Sequence, residues 1–240
     1  MPRLPRRNSS TNIYHAVVRG NERKTIFFDA EDFDTYFKLL DQKRKDYDCV
    51  IYAWCLMSNH VHLLIKERSK PLGSFFQGMA GSFVLWYNRK YDRVGHLFQG
   101  RYRSEPVQTQ EYFLNVLRYI HMNPVKGGIC ERPEDYPYSS YRNYFCSGKY
   151  TEDHVLFDLV RVDEFRTFHT AKNEDLCLDI DMPERGCLPD GEVIAIGSRL
   201  VGSGVFSDIR NLPKEKYLSV VNSLLKAGAS ANQINRLLTT

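Results

Sequence analysis

Two β-rich runs separated by only two residues constrain the fold more than any other feature of this 240-residue sequence. The first run extends from Cys49 to Met57, and the second extends from His60 to Lys66. Ser58-Asn59, the only residues between them, form a connection of the length typical of a tight β-hairpin. The sequence therefore predicts two neighbouring antiparallel strands joined by a tight turn.

The elements around this β-hairpin alternate between strands and helices. Helical periodicity or β-rich alternation predicts, in chain order, a strand at Ile13 to Val18, a helix from Ala30 to about Lys45, a helix from Leu72 to about Tyr91, a strand at Arg101 to Gln108 and a helix from Glu111 to Met122. The last helix is expected to stop at Asn123-Pro124, because the residue before a proline disfavours helix. This order predicts an α+β fold of the split β-α-β kind, a ferredoxin/RRM-like antiparallel sheet with helices on one face.

Composition and hydrophobic periodicity divide the chain into three regions. Residues 1–145 form the predicted α+β domain, residues 146–189 are charged and weakly periodic and are interpreted as a connecting or accessory segment, and residues 190–240 predict a small helical extension. Within this extension, Gly228 to Leu238 is similar to the start of the second helix of a helix-turn-helix, although no recognition helix follows it in the sequence.

Charge and cysteine content narrow the functional classes. The net charge is only +4, but the basic residues cluster at Arg3, Arg6 and Arg7 and again between Arg89 and Arg103, which suits a polyanionic partner. The six cysteines contain no C-x-x-C pair, and the longest apolar run, Cys49 to Met57, is too short to span a bilayer. A cytoplasmic protein is therefore expected. No P-loop pattern occurs, so an ATP requirement is not expected.

His60-Val61-His62 is the first candidate for chemistry. Side chains alternate between the two faces of a strand, so both histidines project from the same face at a spacing of about 7 Å along the strand. Two imidazoles in this arrangement can bind one ion, while Val61 packs into the core. The alternative interpretation is that these are two half-buried polar residues without a ligand.

The helix at 111–122 supplies complementary groups. At about 100° per residue, Tyr119 and Asn123 lie together along one edge of the apolar stripe, whereas His121 points nearly the opposite way. Asn123 is therefore the better third ligand, since its amide oxygen suits a hard ion such as Mg²⁺ or Mn²⁺. Tyr119 is the candidate nucleophile, and Tyr112, on the same edge, is the weaker rival. Since the chain has fifteen tyrosines, a packing role for Tyr119 is the alternative.

A metal beside a tyrosine points to phosphoryl transfer. The phenol is protonated at neutral pH, but it can form a covalent intermediate when a metal polarises the phosphate that it attacks. Two other functions remain open on these residues alone. One is a metal-dependent nuclease that uses water as the nucleophile, and the other is a nucleic-acid-binding module without catalysis, which the family resemblance described next would make a catalytically silent DNA-hairpin-binding regulator.

Four sequence blocks resemble a known family. Their order and content are similar to the signature blocks of the insertion-sequence-200-like transposases, nearest the branch associated with repetitive extragenic palindromes. The blocks are Tyr14-His15-Ala16-Val17-Val18-Arg19-Gly20-Asn21, Leu56-Met57-Ser58-Asn59-His60-Val61-His62-Leu63-Leu64, Gly95-His96-Leu97-Phe98-Gln99-Gly100-Arg101-Tyr102 and Arg118-Tyr119-Ile120-His121-Met122-Asn123-Pro124-Val125.

This resemblance implies a transposase that cuts and rejoins single-stranded DNA beside a DNA hairpin. By this analogy His60 and His62, the histidine-hydrophobe-histidine (HUH) motif, bind the metal, Asn123 occupies the third-ligand position, and Tyr119 forms a 5′-phosphotyrosine and frees a 3′-hydroxyl. Relatives often carry proline where this chain has Ser58, a change that touches no catalytic group. Small members of the family act as dimers that exchange helices, whereas palindrome-associated members can act as single chains. A homodimer is therefore one of two open alternatives.

The DNA contacts are predicted from chemistry and position alone. Basic and polar residues that flank the motif blocks suit phosphate binding, and an aromatic residue among them suits stacking on an unpaired base. These predicted DNA-binding residues are Arg19, Asn21, Arg23, Arg101, Tyr102, Arg103 and Lys126.

Overall fold

The structure is a computed structural model that describes residues 8–145, 164–170, 177, 188, 190–202, 205–229 and 231–239. Its strands are β1 (Ile13–Arg19), β2 (Cys49–Met57), β3 (His60–Glu67) and β4 (Arg103–Pro106). Its helices are α1 (Ala30–Asp46), α2 (Leu72–Lys90), α3 (Gln110–Lys126), α4 (Phe165–Thr170), α5 (Asp190–Val201), α6 (Lys214–Ala227) and α7 (Ala231–Thr239). The predicted basic N-terminal cluster, Cys146, Cys187 and most of the predicted connecting segment lie outside the described residues.

The four strands form one antiparallel sheet in the order β2-β3-β1-β4. β2 and β3 pair from Met57 opposite His60 to Cys49 opposite Glu67, so the predicted β-hairpin closes over Ser58-Asn59. β1 pairs with β3 along its whole length. The first strand of the chain is therefore an interior strand of the sheet, between β3 and β4. This topology confirms the predicted α+β fold.

Alternation along the strands gives the sheet two different faces. Ala16, Val61 and Leu63 join α1 and α2 in a single apolar core on one face. The alternate side chains of β1 and β3, including His62, project toward the other face, where α3 packs on β2 and β3. The prediction of helices on one face therefore holds for α1 and α2. α3 lies on the opposite face, because its apolar stripe packs on that side of β2, with Phe113 against Tyr52 at a ring distance of 5.1 Å.

α3 continues to Lys126, past the predicted end at Met122. Pro124 was expected to terminate the helix, but it lies in the last turn, where its missing N–H removes only one intrahelical hydrogen bond. The amide of Gly127 donates to the carbonyl oxygen of Asn123 at 2.8 Å and completes the turn, and the Pro124 ring is buried. The prediction of a helix end at Asn123-Pro124 is therefore wrong. As a result, Asn123 is held on the same rigid helix as Tyr119.

The described residues fall into two compact units, β1 to α4 and α5 to α7. The sequence placed the end of the first domain at residue 145, but α4 belongs to the first unit because it packs on α3. In the second unit, α5, α6 and α7 surround a separate apolar core that includes Val193, Phe206 and Leu224. This confirms the predicted small helical extension, whereas its interpretation as a partial helix-turn-helix stays a prediction.

None of the described helices combines the length and apolar character that crossing a membrane requires.

A chain of hydrogen bonds joins α4 to α3 and to β2. His169 donates from Nδ1 to the carbonyl oxygen of Phe165, so its Nε2 is the acceptor for Nδ1 of His121 at 2.8 Å. Nε2 of His121 lies 2.8 Å from Oγ of Ser140, which also accepts from the amide of Trp54. Burial lowers the pKa of His169 to about 4 and that of His121 well below its ordinary value, the latter with a contribution from His169. Both imidazoles are therefore neutral in the folded protein.

This network predicts that the protein loses stability in mild acid. The unfolded chain binds protons at these histidines below pH about 6.5 and the folded chain does not, so the free energy of unfolding falls as the pH drops from 7 toward 5. Each such histidine contributes a slope of at most about 1.4 kcal/mol per pH unit. Urea unfolding at several pH values in the presence of a chelator measures this slope. His169→Gln keeps a hydrogen-bond acceptor but cannot titrate. In this variant the slope of the free energy of unfolding against pH should decrease by up to about 1.4 kcal/mol per pH unit, which corresponds to one proton.

An unaltered slope in His169→Gln would contradict the assignment of acid sensitivity to this network.

Candidate active site

The two histidines of β3 lie side by side beneath α3. His60 and His62 are 5% and 0% exposed, and their ring centres are 4.9 Å apart. Val61, between them, is fully buried in the core on the other face of the sheet. The strand therefore holds both imidazoles next to each other on one face of the sheet.

The turn of the β-hairpin orients His60. Asn59 donates from its amide nitrogen to the carbonyl oxygen of Arg23 at 3.2 Å, which leaves its amide oxygen to accept from Nδ1 of His60 at 2.6 Å. With the hydrogen on Nδ1, Nε2 of His60 carries the lone pair.

A close turn after β1 brings the carbonyl of Arg23 to Asn59. A Cβ at Gly20 would lie 2.2 Å from the carbonyl oxygen of Lys24, so only glycine fits at this position.

His62 lies between β1 and α3. Its Nδ1 is 3.0 Å from Nε2 of His15, and its Nε2 is 3.3 Å from the amide nitrogen of Asn123. Burial is the main reason that the pKa of His62 lies well below its ordinary value, and the neighbouring His60 and His15 lower it further. Burial lowers the pKa of His15 to about 3. Both rings are therefore neutral, which is the state that a metal ligand requires.

α3 brings the candidate nucleophile to the histidines. The ring of Tyr119 contacts the rings of His62 and His15 edge-on, at centre distances of 5.6 and 5.7 Å. The ammonium group of Lys126 lies 4.6 Å from the centre of the Tyr119 ring. Since Tyr119 and Asn123 are four residues apart, one edge of one helix supplies both groups to the site. His121 points away, toward Ser140 and His169.

Tyr112 has a different environment from Tyr119. Its hydroxyl donates to Oε2 of Glu105 at 2.7 Å, and both side chains are buried. Glu105 could not be identified from the sequence, because a carboxylate in a short strand gives no sign of its partner on a helix. The hydroxyl of the rival nucleophile is thus held in a hydrogen bond with a carboxylate, whereas the ring of Tyr119 packs on His62 and His15.

The predicted DNA-binding residues occupy several positions. Arg19 is opposite His60 in the β1–β3 register, and Arg103 is opposite Val17, so both belong to the face of the sheet that carries the histidines. Asn21 and Arg23 form a short 3₁₀ turn beside the β-hairpin, and Arg101 is exposed. Tyr102 stacks on Phe76 of α2, with 4.0 Å between ring centres, on the α1/α2 side of the sheet.

The donor set fits a divalent ion of the first transition row or Mg²⁺. Nε2 of His60 carries a lone pair, and Nε2 of His62 faces the amide nitrogen of Asn123. Rotation of this amide would turn its hard oxygen, in place of the N–H, toward an ion bound beside Nε2 of His62. Within the described residues no three His, Cys, Asp or Glu side chains are grouped to hold a metal ion. A site here therefore depends on the two histidines together with the amide of Asn123.

His15 and Asn59 lie within the motif blocks, but the sequence alone indicates no role for them. His15 lies in an otherwise apolar strand, which is a signal that it has a polar partner, since a buried imidazole requires one. The identity of that partner depends on the pairing of β1 with β3. That pairing joins segments 47 residues apart and cannot be derived from local pattern.

Comparison with known proteins agrees with the sequence blocks. Residues 8–123 match the family described as Transposase IS200 like. A Haemophilus influenzae protein named as a REP-associated tyrosine transposase is 28% identical over 153 residues, which cover 58% of this chain and 85% of that protein. The REP-associated tyrosine transposase of Escherichia coli is 22% identical over 112 residues, which cover 46% of this chain and 65% of that protein.

The fold is also similar to a solved structure. That structure shows a REP-associated tyrosine transposase bound to a REP hairpin, with a TM-score of 0.53 and 18% identity over 64% of this chain and 90% of the other. Together these matches identify the chain as a transposase. Over residues 8–123, just under half of its length, it is similar to the IS200-like family, and the relatives that it matches are REP-associated tyrosine transposases. The resemblance drawn from the four sequence blocks is confirmed.

Proposed function

We propose that this transposase cleaves and rejoins single-stranded DNA beside a DNA hairpin, with Tyr119 as the nucleophile and a divalent ion, Mg²⁺ or Mn²⁺, bound by His60, His62 and Asn123. The observation that carries the proposal is the placement of Tyr119. Its ring packs on His62, and the same helix delivers Asn123 to within 3.3 Å of Nε2 of His62. A nucleophile and a ligand set on adjoining rigid elements are what metal-assisted phosphoryl transfer requires.

In the proposed step, a bond from phosphorus to the Tyr119 oxygen replaces one bond of the DNA backbone. The Tyr119 hydroxyl loses its proton as its oxygen attacks the phosphorus, the bond from phosphorus to the 3′-oxygen breaks, and that oxygen leaves as a hydroxyl after gaining a proton. The products are a 5′-phosphotyrosine and a free 3′-hydroxyl, and attack by a 3′-hydroxyl on the phosphotyrosine reverses the step and rejoins a strand. A divalent ion held by His60, His62 and Asn123 would supply polarisation of the phosphate oxygens. No ATP is needed, because the phosphotyrosine conserves the energy of the broken bond.

Positive charge near the histidines supports phosphate binding. Lys126 lies over the Tyr119 ring, and Arg19 and Arg103 belong to the same face of the sheet. These three cations are proposed as contacts to the scissile phosphate and its neighbours, and Asn21, Arg23 and Arg101 as contacts farther along the DNA. Base stacking by Tyr102 stays a prediction, since one face of its ring already packs on Phe76.

DNA hairpin recognition is proposed by analogy with the solved relative, which is bound to a REP hairpin. Single-chain assembly of the active site is supported by the packing of α3 on β2 and β3 of its own chain. In a homodimer that exchanges α3, contacts with a second copy would replace these, so the packing favours a complete site in one chain.

A covalent adduct is the direct test. The full chain should be incubated with Mn²⁺ or Mg²⁺ and a pool of labelled oligonucleotides in which a DNA hairpin carries randomised single-stranded flanks. We expect a protein–DNA adduct that survives denaturing electrophoresis, that disappears when the divalent ion is chelated, and whose tryptic phosphopeptide contains Tyr119.

Two other results would refute the proposal in different ways. Cleavage without any adduct would indicate a nuclease that uses water, and tight DNA hairpin binding with neither cleavage nor adduct would indicate a silent regulator. Sequencing of the cleaved pool would also show which DNA flanks the protein selects.

A further inference from the structure

His15 is a buried imidazole to which the proposed reaction assigns no task. It is fully buried on β1, its ring stacks on that of His62 at a centre distance of 5.3 Å, and it meets the ring of Tyr119 edge-on. Its Nε2 lies 3.0 Å from Nδ1 of His62. From β1, His15 therefore contacts both a proposed ligand, His62, and the proposed nucleophile, Tyr119, which belongs to α3.

The neighbours of His62 determine the direction of the hydrogen bond between the two histidines. The amide nitrogen of Asn123 faces Nε2 of His62, and an amide nitrogen can only donate. Nε2 of His62 is therefore the acceptor, so the ring hydrogen of His62 is on Nδ1. That N–H points at Nε2 of His15, which must accept it.

The same arrangement occurs at His60, where Nδ1 donates to the amide oxygen of Asn59. Both proposed ligands thus have Nδ1 held by a neighbouring acceptor, with the lone pair on Nε2. Ligand histidines in metal sites typically donate their second ring N–H in this way, and the partner fixes both the tautomer and the ring orientation. Asn59 comes from the β-hairpin turn, while His15 comes from the adjacent strand.

A purely structural role for His15 makes a different prediction. A fully buried imidazole carries a desolvation cost that an apolar side chain of similar size avoids, and its Nδ1 has no hydrogen-bond partner among the described residues. If packing were its only task, an aromatic hydrocarbon ring would serve at least as well.

We propose that His15 is a positioning residue for His62, accepting the Nδ1 hydrogen of His62 and thereby presenting the Nε2 lone pair of His62 to a divalent ion. This proposal rests on the proposed function, in which His62 is a metal ligand. It is tested with two variants, His15→Phe, which keeps a flat ring but has no acceptor, and His15→Gln, whose amide oxygen can replace Nε2 as the acceptor.

The first measurement is the tautomer of His62 in the metal-free full chain. Two-bond ¹⁵N–¹H correlation spectra of protein labelled with ¹⁵N-histidine report which ring nitrogen carries the hydrogen. We expect it on Nδ1 in the wild type and in His15→Gln, and shifted toward Nε2 in His15→Phe. A wild-type hydrogen on Nε2, or an unchanged tautomer in His15→Phe, would overturn the proposal without bearing on Tyr119 or on cleavage.

The second measurement is Mn²⁺ affinity in the absence of DNA, from the electron paramagnetic resonance signal of the free ion. We expect His15→Phe to bind Mn²⁺ about 10- to 100-fold more weakly than the wild type and His15→Gln to stay close to it. Thermal melting of each variant without metal separates this effect from a loss of folding. Equal affinity in His15→Phe and the wild type would contradict the positioning role.

A His62→Ala sample separates the two proposals. If it binds Mn²⁺ as tightly as the wild type, the metal site of the proposed function is wrong and the role of His15 fails with it. If His62→Ala loses binding but His15→Phe does not, only the proposal for His15 fails.

Discussion

Tyr119→Phe should abolish the covalent protein–DNA adduct and lower strand cleavage by at least about a thousandfold, since the nucleophilic oxygen is removed. The phenylalanine ring keeps the contacts of Tyr119 with His15, His62 and Lys126, so folding and metal affinity should be little changed. Adduct formation and cleavage are measured with the oligonucleotide pool described above, and Mn²⁺ affinity is measured on the same preparation.

Tyr112→Phe is the matched control for this experiment. It removes a hydroxyl from the same edge of α3 and leaves the carboxylate of Glu105 without that hydrogen bond, which should cost about 1–3 kcal/mol of stability. The adduct should nevertheless form. Loss of the adduct in Tyr112→Phe but not in Tyr119→Phe would reverse the assignment of the nucleophile, and an adduct in both variants would place it on another residue.

His62→Ala should abolish cleavage and retain most of the DNA hairpin binding. The substitution removes the proposed central ligand, which lies between His60 and Asn123, while Arg19, Arg103 and Lys126, the proposed phosphate contacts, are kept. Loss of ion-assisted polarisation should lower cleavage by at least about a hundredfold, or about 2.7 kcal/mol of transition-state stabilisation. Cleavage is measured at saturating DNA, and binding is measured separately by fluorescence anisotropy in the presence of chelator.

The control for His62→Ala is His121→Ala, which also removes a buried imidazole but on the side of α3 that faces Ser140 and His169. It should destabilise the protein and leave cleavage by the folded fraction close to that of the wild type. A parallel loss of binding and cleavage in His62→Ala, with a lowered melting temperature, would instead assign His62 a folding role.

Local pattern was sufficient for much of the fold and for part of the candidate site. The two-residue gap between β2 and β3 predicted the β-hairpin, and strand alternation placed His60 and His62 on one face. Helical spacing placed Tyr119 beside Asn123 and turned His121 away. These predictions were accessible because each depends on residues within a few positions of one another, for which backbone geometry alone sets the direction of the side chains.

Contacts between distant segments could not be predicted in the same way. The continuation of α3 through Pro124 depends on burial of the proline ring, which offsets the loss of one hydrogen bond. The hydrogen bond of Tyr112 with Glu105 and the inclusion of α4 in the first unit depend on packing between elements that are remote in sequence. Propensity rules describe the isolated chain and carry no information about such partners.

The sequence by itself therefore determined the strand and helix order, the resemblance to the IS200-like family, and the residues His60, His62, Tyr119 and Asn123 as candidates for one site. Only the tertiary structure decided that α3 lies on the face of the sheet opposite α1 and α2, and that His15 and Asn59 hold the Nδ1 atoms of the two histidines. The physical reason is that strand register and helix docking are set by burial over the whole domain. A tautomer is set in turn by the one acceptor that this packing brings within hydrogen-bond distance.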